Sequence, residues 1–257
     1  MKKFLQKIYK IKIFKRLVPS VLKLYIKIFK KNFLIIKHND IYLKLNLLNP
    51  IDREIYLKGQ YEKEQIEYLL KHIKEKKIKY FIDIGAHMGF YSVMISKENL
   101  KVYAFEPILN NYSQLYDNKN LNQFDNMEIF NFALSNIEKD IEMWVPDKEK
   151  TGGYSIYDRE DEEINKYKIE EINKSKSKSK IGDNIIKIEN KKIAIKIDVE
   201  RHEFKVLEGL SKLFRQNEIL LQIELFKERQ QKIISYLRDK NFQHINTIEK
   251  DFYFKNF

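Results

Sequence analysis

The sequence predicts an α/β protein: a doubly wound, mainly parallel sheet with an antiparallel edge strand, preceded by a basic helical arm. Three observations point there. Short apolar runs alternate with amphipathic stretches through the body of the chain, as in strands joined by helices. One run, "FIDIGAHMGF" at 81–90, contains an acid and two of the only seven glycines in 257 residues. The excess charge sits at one end. Residues 1–39 hold eleven Lys, one Arg and no acid, while the other 37 basic residues balance 37 acidic ones.

Residues 1–45 are expected to form the arm. From Phe14 on, Phe14, Leu17, Val18, Val21, Leu22, Tyr25, Ile28 and Phe29 share one face at helical periodicity, and Arg16, Lys23, Lys27 and Lys30 fall opposite. Pro19 is a candidate kink. Residues 46–257 form the body. "YEKEQIEYLLKHIKEK" (61–76) reads as a helix, marked by Tyr61, Ile66, Leu69, Leu70 and Ile73. "IKYFIDIG" (78–85) is a buried strand, "FYSVMISKE" (90–98) begins a helix, and "KVYAFEP" (101–107) is a second strand stopped by Pro107. "NYSQLYDNKNLNQF" suits a helix, "MEIFNFALS" (127–135) a third strand and "DIEMWVP" (140–146) an additional one. Between 147 and 184 the periodicity fails. "NKSKSKSK" is polar and low in complexity, so this stretch is expected to be a long charged insertion: a lid, a binding loop, or a plain tether. "IAIKIDVE" (193–200) and "ILLQIEL" (219–225) are two further buried strands. "FKERQQKIISYLRDKN" is an amphipathic helix leading to "FQHINTI", and "DFYFKNF" is expected as the final edge strand.

The chain has no cysteine, which excludes disulfides, thiolate metal sites and a cysteine nucleophile and is compatible with a cytoplasmic location. Lysines interrupt the arm too often for a secretory signal or for the roughly 18 apolar residues of a membrane span. Three uses of the arm stay open: packing on the body, peripheral docking on an anionic membrane through residues 1–39, or gripping a nucleic-acid backbone.

Ligands of open α/β sheets bind at the carboxyl ends of the strands. Asp83 and the turn that follows it occupy such an end. Gly85 permits a tight turn, and Gly89 permits close approach of a ligand or a helix. The D-x-G-x-x-x-G spacing departs from the G-x-G-x-x-G of dinucleotide enzymes. Glu106 ends the next strand, where a carboxylate accepts hydrogen bonds from both hydroxyls of a ribose. Singly, each of these residues is as readily a structural feature. In register they describe an adenosine-type site without a phosphate cradle, which suits S-adenosylmethionine and its cationic sulfonium.

"IKIDVERHE" supplies a second constellation. Asp198 ends its strand at the crevice mouth, with Glu200, His202 and Glu203 after it. Asp198 can orient an acceptor hydroxyl, take its proton, or hold a divalent metal together with Glu224. His202 is a candidate general base or a structural helix-end histidine, and Glu203 a helix-start acid. Glu200 and Arg201 are candidates for contacting the acceptor.

"FIDIGAHMGFYS", "AFEP", "NFALS" and "IKIDVERHEFKVLEG", in that order over residues 50–225, resemble the motifs of FkbM-type methyltransferases, as does the approach segment "DREIYLKGQYEKEQ". The resemblance implies a Rossmann-like methyltransferase fold, S-adenosylmethionine, and O-methylation of a small molecule, often a sugar or glycan hydroxyl. It would place Asp83, Gly85, Ala86, His87 and Gly89 along the cofactor loop, and Glu106 on the ribose. Phe132, Ala133 and Leu134 would lie beside the adenine with Ser135 nearby, and Asp198 would face the methyl. Gly152, Gly153, Tyr154 and Ser155 would belong to a loop bordering the site. The chain departs from the pattern twice. Arg201 replaces a usual glycine, where it would disturb the loop or recognise an anionic acceptor, and His87 replaces a common asparagine. The expectation is therefore an O-methyltransferase of a sugar in a surface polysaccharide or glycan precursor. Two rivals remain: a nucleic-acid methyltransferase, against which stand the neutral body and the lack of an N-P-P-[YF] motif, and an inactive cofactor-binding scaffold at a membrane.

Overall fold

The computed structural model describes residues 9, 11, 14–29, 32–145, 155–156 and 173–257. Helix α1 (Phe14–Phe29) runs through Pro19. Its apolar residues divide between two directions. Val18, Leu22 and Ile26 pack on the body, while Phe14, Leu17, Val21, Leu24 and Ile28 face outward. The arm was expected to stay helical to residue 45, but a hairpin follows instead: β1 (Phe33–His38) and β2 (Ile41–Asn46), paired antiparallel. Asn39 and Asp40 both take positive φ, the geometry of a two-residue turn that matches strand twist. Alternation then buries Ile36, Ile41, Leu43 and Leu45, so this segment belongs to the core and not to an appendage.

Helix α2 (Pro50–Lys58) starts on Asn49, whose side chain accepts from the Ile51 amide, and stops at Gly59 with φ +71°. Helix α3 (Lys63–Glu75) buries Ile66, Leu69 and Ile73. The central sheet comprises β3 (Tyr80–Ile84), β4 (Lys101–Phe105), β5 (Met127–Phe130), β10 (Lys192–Ile197), β11 (Glu218–Glu224), β12 (Gln243–Ile248) and β13 (Asp251–Lys255), ordered β12-β13-β11-β10-β3-β4-β5. Five adjacent strands, β11-β10-β3-β4-β5, run parallel, and β13 and β12 are antiparallel additions. "DFYFKNF" therefore lies inside the sheet, and the edge is β12. β13 is the stronger filler, burying Tyr253 and Phe254 where β12 presents mixed, largely exposed residues. Helices α4 (Phe90–Ser96), α5 (Leu109–Leu121), α7 (Glu203–Gly209), α8 (Ser211–Gln216) and α9 (Lys227–Asp239) join the strands.

Period-2 alternation divides the core between the two faces of the sheet. Phe81, Ala194, Leu220 and Val102 pack with α2, α3 and α4, whereas Ile82, Ile195, Leu221 and Phe105 pack with α7, α8 and α9. On the first face one level is polar: Asp83, Lys196, Gln222 and Tyr253 lie side by side in register across β3, β10, β11 and β13.

The expected third strand over 127–135 breaks in two. Asn131 turns the chain, its side-chain Nδ2 donating to the Glu106 carbonyl at 2.9 Å, and β6 (Ala133–Ser135) enters a second sheet with β7 (Lys139–Val145), β8 (Ser155–Ile156) and β9 (Asn173–Ile181), ordered β6-β9-β7-β8. Most of the expected insertion lies outside the described residues, but its last part is ordered strand and the four-residue helix α6 (Gly182–Ile185). The Ser–Lys alternation that reads as low complexity is also a period-2 strand pattern. Ser175, Ser177 and Ser179 sit opposite Met143, Ile141 and Lys139, while Lys176 and Lys178 are exposed and Lys174 holds its ammonium over the Trp144 ring, 4.2 Å from the centroid. Among the described residues no helix is long and apolar enough to cross a membrane.

Candidate active site at the strand tips

β3 is flanked by β4 on one side and β10 on the other, so the chain's direction of progress reverses there. A crevice must open outside the carboxyl ends at such a switch point. Glycine closes the backbone around it. Gly85 has φ +84°, and a Cβ there would lie 1.8 Å from the carbonyl oxygen of Asp198. The side chain is thus excluded by the β10 tip and not by a ligand. The Gly85 and Ala86 amides both donate to the Phe105 carbonyl, and the Asp198 amide donates to the Ile84 carbonyl, tying three strand ends together. Gly89, with φ +86°, makes room for Leu115 of α5, the helix alternative of the two expected.

Two adjoining cavities occupy the crevice. The larger, about 710 Å³, is walled by Glu106, Ala133, Leu134, Met143, Glu200 and His202 among others. The smaller, about 390 Å³, is walled by Tyr61, Glu62, Asp83, Ala86, Tyr91 and Lys196 among others. Gly85, His87 and Asp198 line both, so Asp198 stands at the junction.

Glu106 is buried, and its two oxygens accept from the amides of His87 and Ile108, each at 2.8 Å. Burial raises its pKa to about 7 against these bonds. His87 adopts φ +52° and its Nε2 lies 3.2 Å from the Asn49 side-chain amide. Asp83 is buried as well. Its Oδ2 accepts from Ser92 at 2.6 Å, whereas Oδ1 has no hydrogen-bond partner among the described residues. Burial pushes its pKa up, opposed by Lys196.

Lys196 escaped sequence reading, as did Tyr61 and Glu62. Its ammonium is buried 2.8 Å from Asp198 Oδ2 and 4.7 Å from the Tyr91 ring centroid. Burial disfavours its charge, but Asp198, Glu62, Asp83 and Asp251 outweigh that and hold its pKa above the ordinary lysine value. The signal was present: a lone lysine within "IAIKI", two residues before Asp198, must share that residue's side of the strand. For Asp198, burial alone would raise the pKa, but Lys196 and a hydrogen bond with Glu224 bring it below the usual carboxylate value. Glu224 moves the other way, to about 8, through burial and the neighbouring charges of Asp198 and Glu200. The two thus share one proton near neutrality, with Glu224 holding it. Among the described residues no group of three or more His, Asp or Glu is placed to hold a metal ion.

The remaining candidates divide. Burial and Asp198 raise the pKa of Glu200, which lines the larger cavity, to about 7. His202 lines it too, and its Nε2 is 3.0 Å from Ser135 Oγ. Ser135 is buried behind that ring and is not part of the cavity wall. Arg201 has φ +76° and follows Glu200 at +48°, so the loop keeps the left-handed geometry that glycine favours. Arg201 donates its backbone amide to the Glu203 carboxylate at 2.7 Å and accepts from Arg229 at its own backbone carbonyl. Its guanidinium is directed to Glu228, 3.2 Å away, and over the Phe226 ring, outside the cavity wall. Gly152, Gly153 and Tyr154 lie outside the described residues. Of Ser155 only the backbone is described, opposite Trp144.

A parallel sheet with a glycine-closed turn and acids on consecutive strand tips defines the doubly wound class that binds nucleoside-type ligands at its switch point. Within that class the chain belongs to the FkbM methyltransferase domain family, whose pattern it matches over residues 83–244, well over half its length. No curated protein matches the chain. Among solved structures it is similar to the FkbM methyltransferase of Methylobacillus flagellatus KT, with 14% identity and a TM-score of 0.46 over 79% of this chain and 52% of that one. This chain thus spans about half that protein's length. It is also similar to TYW2 of M. jannaschii, solved with AdoMet (12% identity, TM-score 0.45, covering 88% and 84%). A third likeness is magnesium protoporphyrin IX methyltransferase of Synechocystis PCC 6803, with bound SAM (8% identity, TM-score 0.47, covering 93% and 97%).

Proposed function

We propose that this methyltransferase uses S-adenosylmethionine to methylate a hydroxyl of a sugar in a surface polysaccharide or glycan precursor. The observation that carries the reading is Asp198, held ionised by Lys196 where the two cavities meet. The donor fits the residues present. The buried Asp83 Oδ1 has no donor among the described residues, and an ammonium would provide one. Glu106 stands where ribose hydroxyls would donate, and Ala133, Leu134 and Met143 offer an apolar wall for a purine. Bound there, S-adenosylmethionine supplies a methyl group activated by its sulfonium. Asp198 then orients the acceptor by accepting its O–H. The acceptor oxygen becomes strongly acidic as its new bond forms, so a carboxylate of low basicity suffices to take the proton. Glu224, protonated near neutrality, keeps Asp198 in place.

The acceptor side favours a neutral, hydroxyl-rich partner. Ionised Asp198, joined by Glu200 as it ionises above about 7, would repel a phosphodiester at the cavity wall, and Arg201 is engaged by Glu228. Asp198→Asn is expected to leave S-adenosylmethionine affinity within about threefold by calorimetry while lowering transfer by at least about 10²-fold. The acceptor is sought by mass spectrometry of glycans from cells with and without the gene, as a sugar heavier by one methylene. Glycans of unchanged mass beside RNA that gains methyl groups would transfer the reading to nucleic acid.

A further inference from the structure

Helix α1 is apolar on more of its circumference than the body can cover. Ile26 is 1% exposed and Val18 and Leu22 are partly buried, which accounts for one side. Next to it runs a second line of large apolar side chains: Phe14 at 39% exposure, Leu17 at 53%, Val21 at 64%, Leu24 at 59% and Ile28 at 64%. Their spacing of three, four, three and four residues keeps them on one straight stripe. The following strand β1 also leaves Phe33 and Ile35 more than half exposed. The sequence around this stripe carries twelve positive charges and no negative one over residues 1–39.

We propose that the outward face of α1 is a docking surface for an anionic lipid bilayer. An apolar stripe within a cationic segment is the arrangement that enters the headgroup boundary of acidic membranes. Charge selects this occupant over the others. Two copies meeting through the same face would bring together two segments that each carry +12 over residues 1–39 with no acid in either to offset the repulsion. A nucleic-acid backbone would engage the lysines but leave the aliphatic row in water. The proposal is independent of the reading of the cleft, because no residue of α1 lines either cavity.

The test uses the full chain and co-sedimentation with vesicles of phosphatidylcholine alone or mixed equally with phosphatidylglycerol. Binding is expected only to the mixed vesicles and is expected to fall as salt is raised. Val21→Glu combined with Leu24→Glu should weaken it at least about tenfold, with S-adenosylmethionine affinity and melting temperature unchanged. If that pair lowers the melting temperature, Leu17→Ser with Ile28→Ser makes the same comparison without added charge. Equal binding of wild type and variant, equal binding to both vesicle types, or no binding to either would overturn the proposal. So would light scattering that shows a wild-type dimer which the same substitutions dissociate.

Discussion

Replacing Lys196 by methionine keeps most of the side chain's volume and removes its charge. The ammonium is buried, 2.8 Å from Asp198 and in register beside Asp83. Breaking a buried pair by deleting one partner costs about 3–5 kcal/mol, because the other charge stays desolvated. Asp198 keeps 32% of its side chain exposed, which favours the lower end, about 3 kcal/mol. For a chain of this size that corresponds to a drop of about 6–12 °C in Tm. The loss should depend on pH in one direction. Without the cation the folded-state pKa of Asp198 rises above its unfolded value and that of Asp83, already raised by burial, rises further, so the variant loses stability as pH rises through them. Wild type and variant are compared by urea denaturation followed by circular dichroism at pH 6 and pH 8. A cost below about 1 kcal/mol at pH 8, or a larger cost at pH 6 than at pH 8, would refute the claim that Lys196 is the counter-ion of this cluster.

Glu106→Ala should weaken S-adenosylmethionine binding by about 10²-fold in calorimetry, since hydrogen bonds to a charged group contribute about 1.5–3 kcal/mol each; unchanged affinity would remove Glu106 from the ribose site. Gly85→Ala is expected to cost at least about 3 kcal/mol, through φ +84° and a Cβ 1.8 Å from the Asp198 carbonyl, and is read as a lowered melting temperature. Wild-type stability should fall between pH 5 and pH 8. Glu106, Glu200 and Glu203 titrate at about 7 and Glu224 at about 8, all above the ordinary 4.5, so their contribution is complete below that value and lost as pH rises through 7 to 8. Each can steepen the slope by up to about 1.4 kcal/mol per pH unit, and Glu224→Gln should flatten its upper part in thermal melts.

Much of this architecture was legible from apolar runs. The parallel strands at 80–84, 101–105, 192–197 and 218–224 are continuous Ile, Leu, Val and Phe stretches whose polar interruptions are few. Glu106 and Asp198 could be picked out because an acid just past the end of such a run lies at the strand tip, and Asp83 because it comes one residue before that end. Lys196 and Gln222 were harder. A polar residue inside a buried run looks like noise until the register places it beside another. The hairpin at 33–46 was hidden by the lysine-rich composition it shares with the helix before it, and the position of β13 by the order of the chain, which says nothing about which antiparallel strand lies inside. Arg201 illustrates the opposite limit. The missing glycine was visible, but that Glu203 and Arg229 would hold the same backbone geometry is a matter of tertiary contact.

The serine–lysine strand β9 has a parity. Loss or gain of one whole Ser-Lys dipeptide returns every serine to the packed side and every lysine to the other, whereas a single-residue indel would invert the ladder and drive lysines against Ile141 and Met143. Length variation in this stretch should therefore be accepted in steps of two, and a tract that resembles filler is constrained by odd and even.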